Sequence, residues 1–370
     1  MAQLRLLASI LFLTMPAVPW AATDPAPDNQ PRLEHIAVWV KDLEKTSTFL
    51  TNVVGWRRHP LEFGVAEEYK EFGGMKLAFV DANGLWLELV EPTTPGPGMD
   101  LLNEKGKGSL VELDFGVDDF DQTMKSLKAK GIDVIGMDGK PLQNGGLLVE
   151  WAIKDGKRVK GEERLMYLPL DVSRGTAIEL FSEYPTGVVL LRDAMWKEEK
   201  EKPVTSPRVD HVVVLGADLE KTAQVYAGVL GLKRHPMKSG LNRDWMEMGQ
   251  GPHAWIDGNR KGFWIEAIAP ASPATPGVLK KFGDGALTEL DAEVKDIDAF
   301  YDQLKAKGVT MTAGDSTPLP AGTKALTVKS SGDRYAYIPL DRSEGMRILI
   351  FQRGPGATSI FQHRDDTWKH

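Results

Sequence analysis

His35, Glu88, Glu112 and Glu179 each stand inside an apolar run. His35 leads into Ile36-Ala37-Val38-Trp39, and Glu88 sits within Trp86-Leu87-Glu88-Leu89-Val90. Glu112 follows Leu110-Val111, and Glu179 lies within Ala177-Ile178-Glu179-Leu180-Phe181. An imidazole or carboxylate in such a run is costly to bury unless it is paired or bound to a metal. One imidazole with three carboxylates makes a hard, oxygen-rich donor set. It suits Mn²⁺, Fe²⁺, Mg²⁺, Ni²⁺ or Co²⁺ better than a thiolate-seeking metal. The plainer alternative is acids that point at water or pair with arginine.

Only strands would bring these residues together. Side chains alternate along a strand, so residues i and i+2 share a face. His35 then shares a face with Ala37 and Trp39, Glu88 with Trp86 and Val90, and Glu112 with Asp114. Trp39 and Trp86 are expected to wall a pocket. Asp114 is either a second acid in it or, as the favoured expectation, a strand-end contact to a backbone amide. A helix is predicted over Leu43–Val54, closed by Gly55, and Asn83-Gly84 signals a hairpin. Pro95-Gly96-Pro97-Gly98 breaks the chain, and a second round of strand, helix and strands follows through Phe181. Each round is a βαβββ unit.

The chain then repeats itself. Asp42-Leu43-Glu44-Lys45-Thr46 recurs as Asp218-Leu219-Glu220-Lys221-Thr222, and Arg58-His59-Pro60 as Arg234-His235-Pro236. Glu112-Leu113-Asp114 recurs as Glu289-Leu290-Asp291, and Tyr167-Leu168-Pro169-Leu170-Asp171 as Tyr337-Ile338-Pro339-Leu340-Asp341. Collinear matches at near-constant spacing are the mark of duplication. The expected class is α+β: four βαβββ modules in two tandem domains, 32–186 and 207–353, with curved mixed sheets. A charged linker spans 187–206, and a polar tail spans 354–370. His59 and His235 are expected in loops or at edges, and Tyr167 and Tyr337 as packing residues.

The 370 residues carry 45 Lys and Arg against 52 Asp and Glu, a net charge of −7. No basic surplus exists to neutralise phosphates, so nucleic acid is not an expected partner. Cysteine is absent, which excludes disulfides, thiolate metal sites and cysteine nucleophiles. Arg5 and the apolar run Leu6–Trp20 precede Ala21-Ala22, the layout of a secretory signal over residues 1–22. The mature protein is therefore expected in the periplasm or secreted. No later run reaches the ~18 apolar residues of a membrane helix. Nucleophile-elbow, phosphate-loop, zincin and dinucleotide motifs are missing.

Four βαβββ units with His or Glu on first and last strands resemble the vicinal oxygen chelate superfamily. That group holds glyoxalases, bleomycin resistance proteins and extradiol dioxygenases. The segments that carry the resemblance are Leu33–Val38, Trp86–Pro92, Ala177–Phe181, Val209–Val214 and Trp264-Ile265-Glu266. The resemblance implies a divalent metal on His35, Glu88, Glu112 and Glu179. It implies a second, less complete set on His211, Glu266 and Glu289, whose fourth position falls on the non-ligand Leu349. It also implies Glu112 and Glu179 as catalytic acids, with Trp264 walling the second pocket. A small molecule offering two adjacent oxygens is the implied substrate, and an isomerase, epimerase or lyase step the implied reaction. A non-catalytic binding protein of the bleomycin-resistance type, and a dioxygenase with an atypical ligand set, stay open. Each half can complete its own paired sheet, so a monomer and a homodimer both fit.

Overall fold

The computed structural model describes residues 30–59, 74–136, 139–142, 147–154, 157–182, 206–236, 252–260, 262–270, 283–314, 316–355 and 360–368. The signal segment expected over residues 1–22 lies outside them, as does the linker over 187–206 apart from its last residue.

The first half runs β1 (Arg32–Trp39), α1 (Leu43–Thr48), β2 (Arg57–Arg58), β3 (Met75–Asp81), β4 (Trp86–Pro92), α2 (Pro97–Lys105), β5 (Ser109–Val117), α3 (Phe120–Ala129), β6 (Leu147–Lys154), β7 (Lys157–Tyr167) and β8 (Ala177–Ser182). The second half runs β9 (Arg208–Leu215), α4 (Leu219–Gln224), β10 (His253–Arg260), β11 (Phe263–Ile268), β12 (Ala286–Glu293), α5 (Ile297–Ala306), β13 (Leu326–Thr327), β14 (Arg334–Ile338) and β15 (Ile348–Gln352), then α6 (Ile360–Thr367). The fold is α+β, as expected.

Local chemistry sets the helix starts. Asp42, Asp119, Asp218 and Asp296 each accept a backbone N–H from the first turn of α1, α3, α4 and α5. Such caps satisfy amides that the helix itself cannot pair. α1 and α4 continue into π-helical turns over Phe49–Val54 and Val225–Val229.

Each half forms its own sheet. Eight strands are ordered β2-β3-β4-β1-β5-β8-β7-β6, and seven are ordered β10-β11-β9-β12-β15-β14-β13. β1 runs parallel to β4 and antiparallel to β5, and β5 runs parallel to β8. β9, β11, β12 and β15 repeat this pattern. Leu33, Ile36 and Val38 of β1 and Val212 and Val214 of β9 enter one core with residues of α1, α3 and α5. The alternate residues of those strands, His35 and His211 among them, project from the other face.

Two equivalent joints hold the halves together. Gly108 has φ +75, and a Cβ there would lie 2.3 Å from the Met346 amide nitrogen. Gly285 has φ +76, and a Cβ there would lie 2.2 Å from the Arg174 carbonyl oxygen. Only glycine fits a left-handed backbone at such an approach. Glu344 accepts from Lys45 at 2.6 Å beside the first joint, and Arg174 meets Asp284 at 2.5 Å beside the second.

Two expectations are revised. Residues 95–98 do not simply break the chain: Pro97 opens α2, a place where its missing N–H costs nothing. The expected polar tail contains α6, whose Phe361 and Arg364 are buried.

Candidate metal centres

Strand register builds the first site. His35 stands opposite Asp114 on β5, and Asp114 stands opposite Glu179 on β8. Ala37 stands opposite both Glu88 on β4 and Glu112 on β5. His35 Nε2 therefore lies 3.3 Å from Asp114 Oδ2 and 3.6 Å from Glu88 Oε2. Ligand atoms of His35, Glu88 and Asp114 lie within 4.8 Å of one another, and so do those of Glu112, Asp114 and Glu179. The four residues expected around one metal are thus divided. His35 and Glu88 join Asp114, and Glu112 and Glu179 gather on its other side.

Among the described residues no backbone amide donates to Asp114 Oδ2. Asp114 is 2% exposed, and apart from the approach of His35 its Oδ2 has no hydrogen-bond partner among the described residues. A buried carboxylate oxygen left this way fits a bound cation. Phe79 and Phe181 flank the His35 ring at 5.8 and 5.6 Å. Trp39 packs with Met75, Leu77 and Val90. Trp86 is buried against His59 at 5.8 Å; His59 follows the edge strand β2, and its side chain is buried. Tyr167, expected only to pack, donates its hydroxyl to Glu179.

Burial and neighbouring acids reshape the titration here. Burial pushes Glu112 up to about 7, with Glu88 adding to it. Burial and the charge of Glu112 push Glu179 up to about 8. Asp114 is likewise driven well above its ordinary value by burial, then by Glu112 and Glu179. The folded chain thus holds protons that the unfolded chain releases near pH 4 to 4.5. More protons bound in the folded state mean that stability falls as pH rises. In a chelator, the melting temperature is expected to fall steadily from pH 5 to pH 9. Added Mn²⁺ should flatten that fall by neutralising the ionised acids. A chelated protein equally stable at both ends would refute this.

The second half holds a closed version. His211 Nε2 lies 2.9 Å from Asp291 Oδ2 and 3.4 Å from Glu266 Oε2. All three side chains are 0% exposed. Apart from the approach of His211, no carboxylate oxygen of Glu266 or Asp291 has a hydrogen-bond partner among the described residues. His211 Nδ1 lies 2.8 Å from Asp210 Oδ2. Burial alone would lower the His211 pKa, but Asp291, Asp210 and Glu266 hold it well above the ordinary value. Asp210 is paired with Arg364, so Glu266 and Asp291 are the acids left facing the His211 ring.

Glu289 is placed elsewhere. Arg347 donates to it, and Tyr337 donates its hydroxyl at 3.3 Å. Asp291 stands beside His211 in the place the sequence reading gave to Glu289. Leu349 faces Asp291 just as Glu179 faces Asp114. Trp264 walls no open pocket: the Arg364 guanidinium lies 4.7 Å over its ring, and Trp368 meets it at 5.3 Å. His235 is buried, with its Nε2 2.9 Å from the Arg364 carbonyl oxygen.

His253 was missed. It is buried on β10 with Nδ1 4.0 Å from Glu266 Oε1, and burial lowers its pKa to about 4, keeping it neutral. Its spacing of two from Trp255 is the strand signal that places it on this face. Asp291 was missed as a candidate ligand for want of register, and Arg364 because it reaches Asp210 only across 154 residues of chain.

Residues 34–148 match a family model described as the glyoxalase/bleomycin resistance protein/dioxygenase superfamily, and residues 208–323 match a second model of the same description. Mitochondrial methylmalonyl-CoA epimerase of Bos taurus is 32% identical over 135 residues, 33% of this chain and 74% of that protein. A variant of 4-hydroxymandelate synthase from Streptomyces coelicolor shares the fold with a TM-score of 0.58 at 16% identity, over 91% of this chain and 99% of that one. The Mn(II)-bound glyoxalase from Novosphingobium aromaticivorans shares it with a TM-score of 0.51 at 14% identity, over 88% and 83%. No helix among the described residues is long and apolar enough to cross a membrane.

Proposed function

Because the chain belongs to the glyoxalase/bleomycin resistance protein/dioxygenase superfamily, we propose that its first half is a metal-dependent catalyst of proton transfer. The substrate is a small molecule with two adjacent oxygens, and the reaction is of isomerase, epimerase or lyase type. The observation that carries this reading is one geometry. Two acids held near neutrality, Glu112 and Glu179, adjoin an open His35–Glu88–Asp114 triad. His35 and Glu88 are 18% and 16% exposed, whereas the second triad is sealed. A substrate can reach only the first.

His35, Glu88 and Asp114 would hold a divalent ion such as Mn²⁺, Fe²⁺, Mg²⁺, Ni²⁺ or Co²⁺. Such an ion polarises a carbonyl and acidifies the neighbouring C–H. Glu179 Oε2, to which the Tyr167 hydroxyl donates, takes the proton from that carbon. Glu112 returns a proton to the neighbouring atom or to the opposite face. A base is most effective when its pKa lies near the working pH, which burial achieves for both acids. The epimerase among the relatives supports proton transfer at carbon. Export directed by residues 1–22 belongs to the same proposal.

Glu179→Gln keeps shape and removes the base. The test is solvent deuterium incorporation by NMR into a panel of small carbonyl compounds bearing an adjacent hydroxyl or carboxylate, with Mn²⁺ present. Exchange in the parent chain that drops about 10²–10⁴-fold in the variant, at equal Mn²⁺ content, is the expected result. No exchange across the panel, or equal exchange in both chains, would overturn it.

A further inference from the structure

We propose that Arg364 positions His211 for a metal held by His211, Glu266 and Asp291, and that docking of α6 and retention of that metal are linked. The inference stands apart from the first-half reading.

Arg364 is fully buried, and its two terminal nitrogens donate to Asp210 Oδ2 and Oδ1 at 2.8 and 2.9 Å. The same Asp210 Oδ2 accepts from His211 Nδ1 at 2.8 Å. Arg364, Asp210 and His211 therefore form a relay. A carboxylate fixed on Nδ1 leaves Nε2 as the free ligand nitrogen and sets the ring's direction. Nε2 is the atom that faces Glu266 and Asp291. Two further cations support the relay from outside α6: Arg208 and Arg353 approach Asp210 Oδ1 at 3.5 and 3.4 Å.

The same helix closes the cavity. Phe361 stacks on Phe351 at 4.2 Å and lies 5.8 Å from the His211 ring. The Arg364 guanidinium spans Trp255 and Trp264, 4.7 Å over each ring. His235 bonds to the Arg364 carbonyl oxygen at 2.9 Å, and Trp368 donates to Asp257 at 2.9 Å. A metal on the triad cannot leave past these groups while α6 is docked. Linkage is reciprocal, so whatever α6 adds to metal binding the metal adds to α6 docking.

The test uses the full chain carrying His35→Ala and Asp114→Asn, which removes a ligand from each first-half group, loaded with Mn²⁺. A chelator chase measures release, and hydrogen exchange of the α6 amides with and without Mn²⁺ measures docking. Arg364→Gln and Asp210→Asn should each speed release about 10–100-fold, the scale of other outer-shell partners of metal-bound histidine. Arg364→Lys, which keeps the charge without the two-pronged contact, should fall between. Mn²⁺ should slow α6 exchange in the parent and not in Arg364→Gln. A merely structural arginine would leave that Mn²⁺ dependence unchanged. Unaltered release in both variants, or α6 exchange indifferent to Mn²⁺, overturns the linkage. A chain carrying His35→Ala and Asp114→Asn that binds no Mn²⁺ overturns the second site itself, and leaves the Glu179 experiment standing.

Discussion

Replacing Asp210 by alanine is expected to destabilise the folded chain by about 3–5 kcal/mol, the usual cost of stranding one partner of a buried ion pair. Asp210 and Arg364 are both 0% exposed. The charge of Arg364 holds the Asp210 carboxyl well below its ordinary range against the opposing effect of burial. Without Asp210, the guanidinium loses its two-pronged buried carboxylate partner and keeps Asp365, which bonds its Nε at 2.8 Å from a partly exposed position. Undocking α6 would let the guanidinium reach water. Denaturant midpoints should show the loss, and near-surface probes such as Trp368 fluorescence should report it first. Asp210→Leu combined with Arg364→Met should recover part of the stability, because no guanidinium is then stranded, while His211 Nδ1 still lacks its acceptor. A loss under about 1 kcal/mol in Asp210→Ala, within the range of exposed pairs, would mean the pair is solvated in solution.

Asp114→Asn should abolish metal binding in the first half, weakening it at least ~100-fold, beyond the 10–100-fold typical of outer-shell partners. Asp114 is the one acid common to both carboxylate groups. The amide keeps the shape and removes the charge, so folding should survive. The metal-free variant should even be more stable than the parent above pH 8, since a buried acid raised well above its ordinary value opposes folding once ionised. Loss of Mn²⁺ by elemental analysis of a chain that also carries His211→Ala, with a raised melting temperature in chelator, is the expected pair of results. Retained Mn²⁺ would shift the ligand role back to Glu112.

Much of the architecture was legible before folding. The duplication, the helix after each opening strand and the alternation along β1, β4, β5 and β8 are local properties. They fixed which residues share a face: His35 with Trp39, Glu88 with Trp86, Glu112 with Asp114. Pro97 marked the end of a strand region correctly, but its role as a helix start depended on the chain that follows.

What the sequence by itself determined is the tandem α+β fold, the strands that carry the acids and the absence of any thiolate chemistry. Tertiary structure alone decided which acid stands beside which histidine. Glu112 and Asp114 share a face, as do Glu289 and Asp291, so alternation cannot choose between them. The antiparallel register of β5 against β1, interrupted by two irregularities, puts Asp114 opposite His35. The register of β12 against β9 puts Asp291 opposite His211. Arg364 was not legible as the partner of Asp210, because the two meet only across 154 residues of chain. Exposure was also invisible to the sequence. Two nearly identical strand motifs become a partly exposed triad and one sealed beneath α6, and side-chain burial depends on every element packed against a face.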